Sequence, residues 1–182
     1  MLHHAGSAPV EIDFREGRAE QIPVRMAEVR LVFMSMMFHH IEDLDAAIAE
    51  FGRVLQGGGF VCVRNSTLDS LDSYPYLEHF PGARSACESI NRSIEEINRR
   101  FVEQGFRTVT NEVITQPAAN SPAAYSEKVG CRVYSDLNMI SDEEFAAGLN
   151  SLRSAMAELD PDEPVNEEID LLVYSKVDTP AT

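Results

Sequence analysis

Between Arg30 and Ser66 the chain reads RLVFMSMMFHHIEDLDAAIAEFGRVLQGGGFVCVRNS: an apolar run, an amphipathic stretch and a second apolar run. The first run, Arg30 to Met36, is apolar at nearly every position, as expected of a strand covered by helices on both faces. The middle places Leu44, Ala47, Ile48, Phe51 and Leu55 at steps of three and four. With Asp43 available as N-cap and Gly57 just past the end, that spacing predicts a helix. After the Gly57–Gly59 turn, FVCVRNST reads as a second buried strand. A strand-helix-strand unit over 31–66 leaves few arrangements open, the default being two adjacent parallel strands with a right-handed crossover. An α/β layer fold follows.

The remaining segments fill in around that unit. Val10, Ile12 and Phe14 alternate with Glu11, Asp13 and Arg15, the period of a strand with one buried face, ending at Gly17. Downstream, Ile90, Ile94, Ile97 and Phe101 share one face of a predicted helix stopped by Gly105, and FRTVTNEVITQ is a further strand. Pro117 and Pro122 open an insertion over 117–165. Within it Ser141 and Glu144 form a capping box ahead of the helical stripe Phe145, Leu149, Leu152 and Met156. PDEPVNEE is a loop, and Ile169 to Lys176 supplies a last strand. At 182 residues the whole is one domain, 1–182, with the strand-helix-strand unit in 1–66 and the remainder in 67–182. No internal repeat or low-complexity stretch interrupts it.

Composition narrows the function classes. A formal charge of -15, from 15 basic and 30 acidic side chains, repels phosphate backbones and argues against nucleic acid. No window approaches the roughly 18 apolar residues of a membrane span, and the N-terminus lacks the basic and apolar regions of a leader. Cys62, Cys87 and Cys131 have no paired spacing, which suggests reduced thiols acting as core fillers and a cytoplasmic protein. A metal centre would need further ligands at local spacing beside the His39–His40 pair, and His3, His4 and His79 do not provide them. No metal is expected.

Three stretches in register, EGRAEQIP, RLVFMSMMFHHIED and AIAEFGRVLQGGGFVCVRNST, resemble the class I S-adenosylmethionine-dependent methyltransferases. The likeness is to the small-molecule branch that shares a Gly-Asp-Ala-x-x-Leu-Pro loop and a His-His-x-x-Asp turn. It covers about residues 1–66 at motif level and the rest by element order. It implies a Rossmann-like sheet of order 3-2-1-4-5-7-6, mostly parallel with a C-terminal antiparallel strand pair. The implied cofactor is S-adenosylmethionine, and the implied reaction moves a methyl group to a small-molecule oxygen, nitrogen or carbon. In that family a Gly-x-Gly-x-Gly turn and a ribose-binding acid come before the stretch matched here, so the sheet is expected to lack its first two strands. Gly57–Gly59 follows a helix and precedes a strand, the reverse of a phosphate cradle, and reads as a helix stop.

The resemblance assigns cofactor contacts to Arg18, Ala19, Glu20, Ser35 and Met36. Arg18 stands where the family has an Asp that accepts from the adenine amine. A guanidinium offers donors only, though it can stack on the ring. Arg30 likewise replaces a usual Asp. His39 and His40, just past a parallel strand's carboxyl end, are the catalytic candidates, able to orient or deprotonate an acceptor near neutral pH. The alternative reading is a turn in which one packs and the other caps carbonyls. Arg64 and Asn65 finish the next strand at the same sheet edge and are expected to face the substrate, together with Tyr74. With Tyr76 and His79, Tyr74 would form a lid or an aromatic wall. Asn91, Arg92, Arg99 and Arg100 read as a solvated helix face. An uncovered strand edge calls for a cover, which implies a homodimer, a complementing subunit or inward movement of the strand at Val10–Phe14. The expected function is that of a small-molecule methyltransferase-like protein, impaired by itself. The alternative is a non-catalytic binding or assembly subunit.

Overall fold

The computed structural model of the chain describes residues 12–177. Four strands make one sheet: β1 (Val29–Ser35), β2 (Leu55–Asn65), β3 (Phe106–Ala119) and β4 (Val165–Lys176), in the order β1-β2-β4-β3. The β1/β2 pairing is parallel and the β2/β4 and β4/β3 pairings are antiparallel. This is the expected α/β sheet with its C-terminal antiparallel pair, in the order of the last four strands of the 3-2-1-4-5-7-6 arrangement. Helix α1 (Leu44–Val54) joins the parallel strands. It starts where expected, because the Asp43 carboxylate accepts from the Ala46 amide at 3.0 Å. Four more helices follow: α2 (Pro81–Ile90), α3 (Ile94–Glu103), α4 (Pro122–Gly130) and α5 (Asp142–Met156).

Two cores result. In the first, Ile48 and Phe51 of α1 and Ile97 and Phe101 of α3 bury Met34, Val61, Val63, Leu172 and Tyr174 on one face of the sheet. Phe101 stacks on Tyr174 with ring centroids 3.8 Å apart. The second core gathers α2, α4, α5 and the 3₁₀ turns Leu68–Ser73 and Pro75–His79 around Tyr76, Phe80, Tyr125, Leu137 and Leu152. Here α5 lies close against the chain at His79–Phe80. A Cβ on Gly148 would come within 2.5 Å of the His79 carbonyl oxygen and the Phe80 ring, so only glycine fits.

Several expectations need correction. Gly57–Gly59 does not stop α1. The helix ends at Val54 and β2 starts at once, with the glycines forming a bulge: Val29 pairs with Leu55, but Leu31 already pairs with Phe60. Gly58 has φ +67, which a side chain rarely tolerates. Ile90 and Ile94 belong to different helices, because Ser93 caps α3 by accepting from the Glu96 amide at 3.2 Å. Pro117 sits inside β3, not at the start of an insertion, and pairs with Asn166. An edge strand tolerates the missing amide hydrogen. Ser141 caps α5, but the Glu144 carboxylate turns away to accept from the Gly82 amide at 2.7 Å, so the box is not reciprocal. Cys131 is exposed, not a core filler.

The strand expected at 10–14 is absent where it can be seen. Val10 and Glu11 lie outside the described residues, and Ile12–Phe14 is irregular and exposed. The segment curls instead, with Arg15 donating to the Pro23 carbonyl at 2.7 Å and Arg18 bridging to Gln21. Nor is β1 covered on both faces. Leu31 and Phe33 are 54% and 58% exposed, and the neighbouring Phe60 44%. The free edge of β1 has no strand partner among the described residues.

Candidate active site

Parallel α/β sheets bind ligands beyond the carboxyl ends of their strands. At that end of β1 and β2 a cavity of about 360 Å³ opens between the two cores, a volume typical of small-molecule sites. Its sheet-side wall holds Met36, His39, His40, Arg64 and Ser66. The opposite wall holds Tyr74, Tyr76, Tyr134 and Asp136, with Glu167 of β4 at the base. A wider hollow of about 680 Å³ is lined by Gly17, Arg18, Gln21, Glu50 and Arg53. It lies away from the strand ends and both of its arginines are already paired, Arg53 with Glu50 and Arg18 with Glu42, each at 2.7 Å. The chemistry is better placed in the smaller cavity.

Each wall residue is held by a local cause. Met36 follows the last residue of β1 with φ +52, an unusual backbone for a side-chain-bearing residue, and its amide donates to the Arg64 carbonyl at 2.8 Å. This bond ties the two strand ends together. Phe38, buried, anchors the 3₁₀ turn Phe38–His40, so the two imidazoles project from a fixed base with ring centroids 4.1 Å apart. Burial lowers the pKa of His39, the neighbouring His40 lowers it further, and a hydrogen bond with Asn65 opposes both. His39 is therefore held toward the neutral, proton-accepting form.

The tyrosine side is a network of buried acids and hydroxyls. Glu167, only 3% exposed, accepts on Oε1 from Tyr125 at 2.8 Å and Tyr134 at 2.6 Å. Asp136 accepts from the Tyr76 hydroxyl on both oxygens at 3.1 Å. Burial, ahead of the Asp136 charge, raises the Tyr76 pKa. Burial, ahead of the bond to Glu167, does the same for Tyr134. Both phenols stay protonated and donate. Burial raises the Asp136 carboxyl, and with it as the leading cause the Cys87 thiol is pushed up to about 12. That leaves Cys87 an inert thiol rather than a nucleophile. Tyr76 and Tyr134 stack at 4.4 Å, making a flat wall.

The sequence-based assignments divide. Met36, His39, His40, Arg64 and Tyr74 come together in the cavity, and Tyr76 joins them in the aromatic wall. Asn65 does not. It is buried, and its amide accepts from the Phe38 amide at 3.2 Å and donates to the Ser66 carbonyl at 2.7 Å. Ser35 lies just outside, its hydroxyl accepting from Arg64 at 3.1 Å. His79 bonds Ser151 at 2.9 Å, away from the cavity. Arg18 pairs with Glu42 at 2.7 Å, while Glu20 accepts from the Asp43 amide at 3.4 Å and Ala19 packs on the first core. Sequence reasoning missed Glu167, Asp136, Tyr134, Tyr125 and Lys128. The one available signal was an acid, Glu167, alternating in register with the buried Val165 and Ile169.

The residues named for the donor do not share a cavity. Met36 faces the acceptor-side space, Arg18 lines the separate hollow, and Ala19, Glu20 and Ser35 line neither. Among the described residues there is no glycine turn following a strand to close round a nucleoside. These residues therefore fit one border of an S-adenosylmethionine site, not the whole of it.

Comparison with known proteins bears on the fold. Residues 1–63 match the family model described as a methyltransferase domain. No curated protein sequence matches the chain. Among solved structures, a candidate methyltransferase from an antibiotic biosynthesis pathway of Anabaena variabilis superposes with a TM-score of 0.66 at 13% identity, over 97% of this chain and 79% of that one. A candidate methyltransferase of Bacillus halodurans gives 0.60 at 14% identity, over 92% and 78%. A structure holding a Haloferax volcanii methyltransferase activator with a candidate methyltransferase gives 0.57 at 17%, over 96% and 66%. The fold is the Rossmann-like one of these solved methyltransferase structures, and the sequence match covers 63 of the chain's 182 residues.

Proposed function

We propose that the chain supplies the acceptor-binding half of a small-molecule methyltransferase, with the cavity at the strand ends receiving the methyl acceptor. The observation that carries this reading is the convergence of Met36, His39, His40 and Arg64, from the carboxyl ends of two parallel strands, on one cavity walled by tyrosines. Bound S-adenosylmethionine supplies an electrophilic methyl group. The chain's own part is to orient the acceptor heteroatom, keep water away and take its proton. The tyrosine wall, with Tyr76 buried and Tyr134 half-buried, serves the first two needs. His39, kept neutral by burial, serves the third for an acceptor hydroxyl or ammonium. Ser35, Met36 and the turn Arg18–Glu20 border the donor, whose remaining contacts must come from a surface beyond the described residues. By itself the chain therefore binds the donor weakly.

The test is transfer of labelled methyl groups to small hydroxyl, amine and carbon acceptors at increasing protein concentration. Turnover of any acceptor supports the proposal. Specific activity that rises with concentration would favour a second copy as the missing cover. Absence of turnover at every concentration would overturn the enzymatic reading. The second reading, a non-catalytic assembly subunit, is favoured by the open apolar face at Leu31, Phe33 and Phe60. A structural neighbour that is determined together with a methyltransferase activator lends it support.

A further inference from the structure

The cations of this chain are scarce and mostly occupied. With 15 basic against 30 acidic side chains, most arginines of the described residues sit within ion-pair distance of a carboxylate, as Arg53 with Glu50, Arg84 with Asp72 and Arg132 with Asp142. Arg64 and Lys128 do not, although both line the cavity. Arg64 donates to the Ser35 hydroxyl at 3.1 Å and to the Gln116 side-chain oxygen. Lys128 donates to the Ala118 carbonyl at 3.1 Å and lies 5.1 Å from the centre of the Tyr134 ring. All these partners are neutral. A guanidinium has five donors and an ammonium three, so both groups keep donors in reserve.

The two acids of the same cavity are in the opposite condition. Asp136 has both oxygens engaged by Tyr76, and Glu167 has Oε1 engaged by two tyrosines. Three of their four carboxylate oxygens accept from tyrosines and Glu167 Oε2 accepts from none, whereas neither cation meets a carboxylate among the described residues. Resting on the acceptor-site reading above, we propose that the ligand of this cavity carries an anionic oxygen group, a carboxylate or a phosphate ester, held by Arg64 and Lys128. Charge-assisted bonds of this kind are about twice as strong as neutral ones, and a guanidinium fork suits a planar or tetrahedral oxyanion. The stacked Tyr76 and Tyr134 rings offer a flat apolar surface for the rest of the molecule.

The test measures binding to the full chain without any methyl donor, by calorimetry or ligand-observed resonance. The probes are benzoate and phenyl phosphate against neutral benzamide and cationic benzylammonium. The expected result is an anionic probe bound at least about tenfold tighter than benzamide, an advantage that shrinks as salt is raised. The same advantage should largely vanish in Arg64→Gln and in Lys128→Gln. The second variant, on a half-buried helix position, carries the test if the first misfolds. The better of the two anions identifies the group. Equal binding of benzamide, tighter binding of benzylammonium, no binding of any probe, or an anion advantage unchanged in both variants would overturn the proposal. Anion binding without methyl transfer would sink the function proposed above and leave this inference standing. Transfer to a neutral acceptor alone would do the reverse.

Discussion

The two faces of the β1–β2 pair are built from alternate residues of the same strands, yet they meet different fates. Met34, Val61 and Val63 point to α1 and α3 and are almost wholly buried. Leu31, Phe33 and Phe60 point the other way and are about half exposed. Apolarity cannot be the difference, since both sets are apolar. The closed face is covered first by the helix that connects the two strands, a contact local in sequence, and α3 completes the cover with Ile97 and Phe101. The open face meets a cover only toward the strand ends, where Val165 of β4 belongs to the second core and Glu167 accepts from that core's Tyr125. The cavity occupies the boundary between the covered and uncovered parts.

Four substitutions break or sharpen this contrast. Phe51→Ala should remove the centre of the closed face and cost about 3–5 kcal/mol, read from urea unfolding. Phe33→Ala, an aromatic truncation on the open face, should change stability by less than about 0.5 kcal/mol. A loss of more than 2 kcal/mol there would mean that the face is packed in solution. At the covered end of the open face, Glu167→Ala should strand the buried Tyr125 hydroxyl at about 1–3 kcal/mol, with Glu167→Gln recovering part of the loss. Asp43→Ala should loosen α1 by about 1 kcal/mol through loss of its cap.

The smallest effect concerns pH. Burial raises the Asp136 carboxyl pKa above its unfolded value near 3.8. A raised carboxyl contributes stability below the unfolded pKa and loses it as pH climbs through the folded one. Glu20 and Glu50 act oppositely. Hydrogen bonds, for Glu50 chiefly with Arg53, lower their folded pKa values, so their contribution exists above the unfolded 4.5 and fades as pH falls. Comparing wild type with Asp136→Asn by unfolding midpoint against pH isolates the first term. The variant should gain on the wild type as pH rises out of the acid range. Parallel curves would show that Asp136 is not desolvated.

What could be read in the sequence follows the same division. Helix α1, its Asp43 cap and the parallel pair were legible because each depends on residues within one crossover. The glycines at 57–59 misled because a glycine after an amphipathic stretch resembles a helix end, whereas here the bulge is required by the pairing of Leu31 with Phe60. The break between Ile90 and Ile94 was hidden by an apolar spacing that runs through Ser93. Met36, His39, His40 and Arg64 could be placed from strand ends alone. Glu167, Asp136 and Tyr134 could not, since their meeting depends on β4 and on the turn at Ser135–Asn138 folding back against the strand ends. The open face was illegible for a simpler reason: an apolar run announces burial without saying what buries it.

In the function proposed above, these residues line the acceptor cavity and border only part of the donor. Calorimetric titration of S-adenosylmethionine into the chain, shown monomeric by sedimentation in the same buffer, tests it most directly. The proposed function requires binding too weak to saturate. Tight, saturable binding of one S-adenosylmethionine per monomer would contradict it.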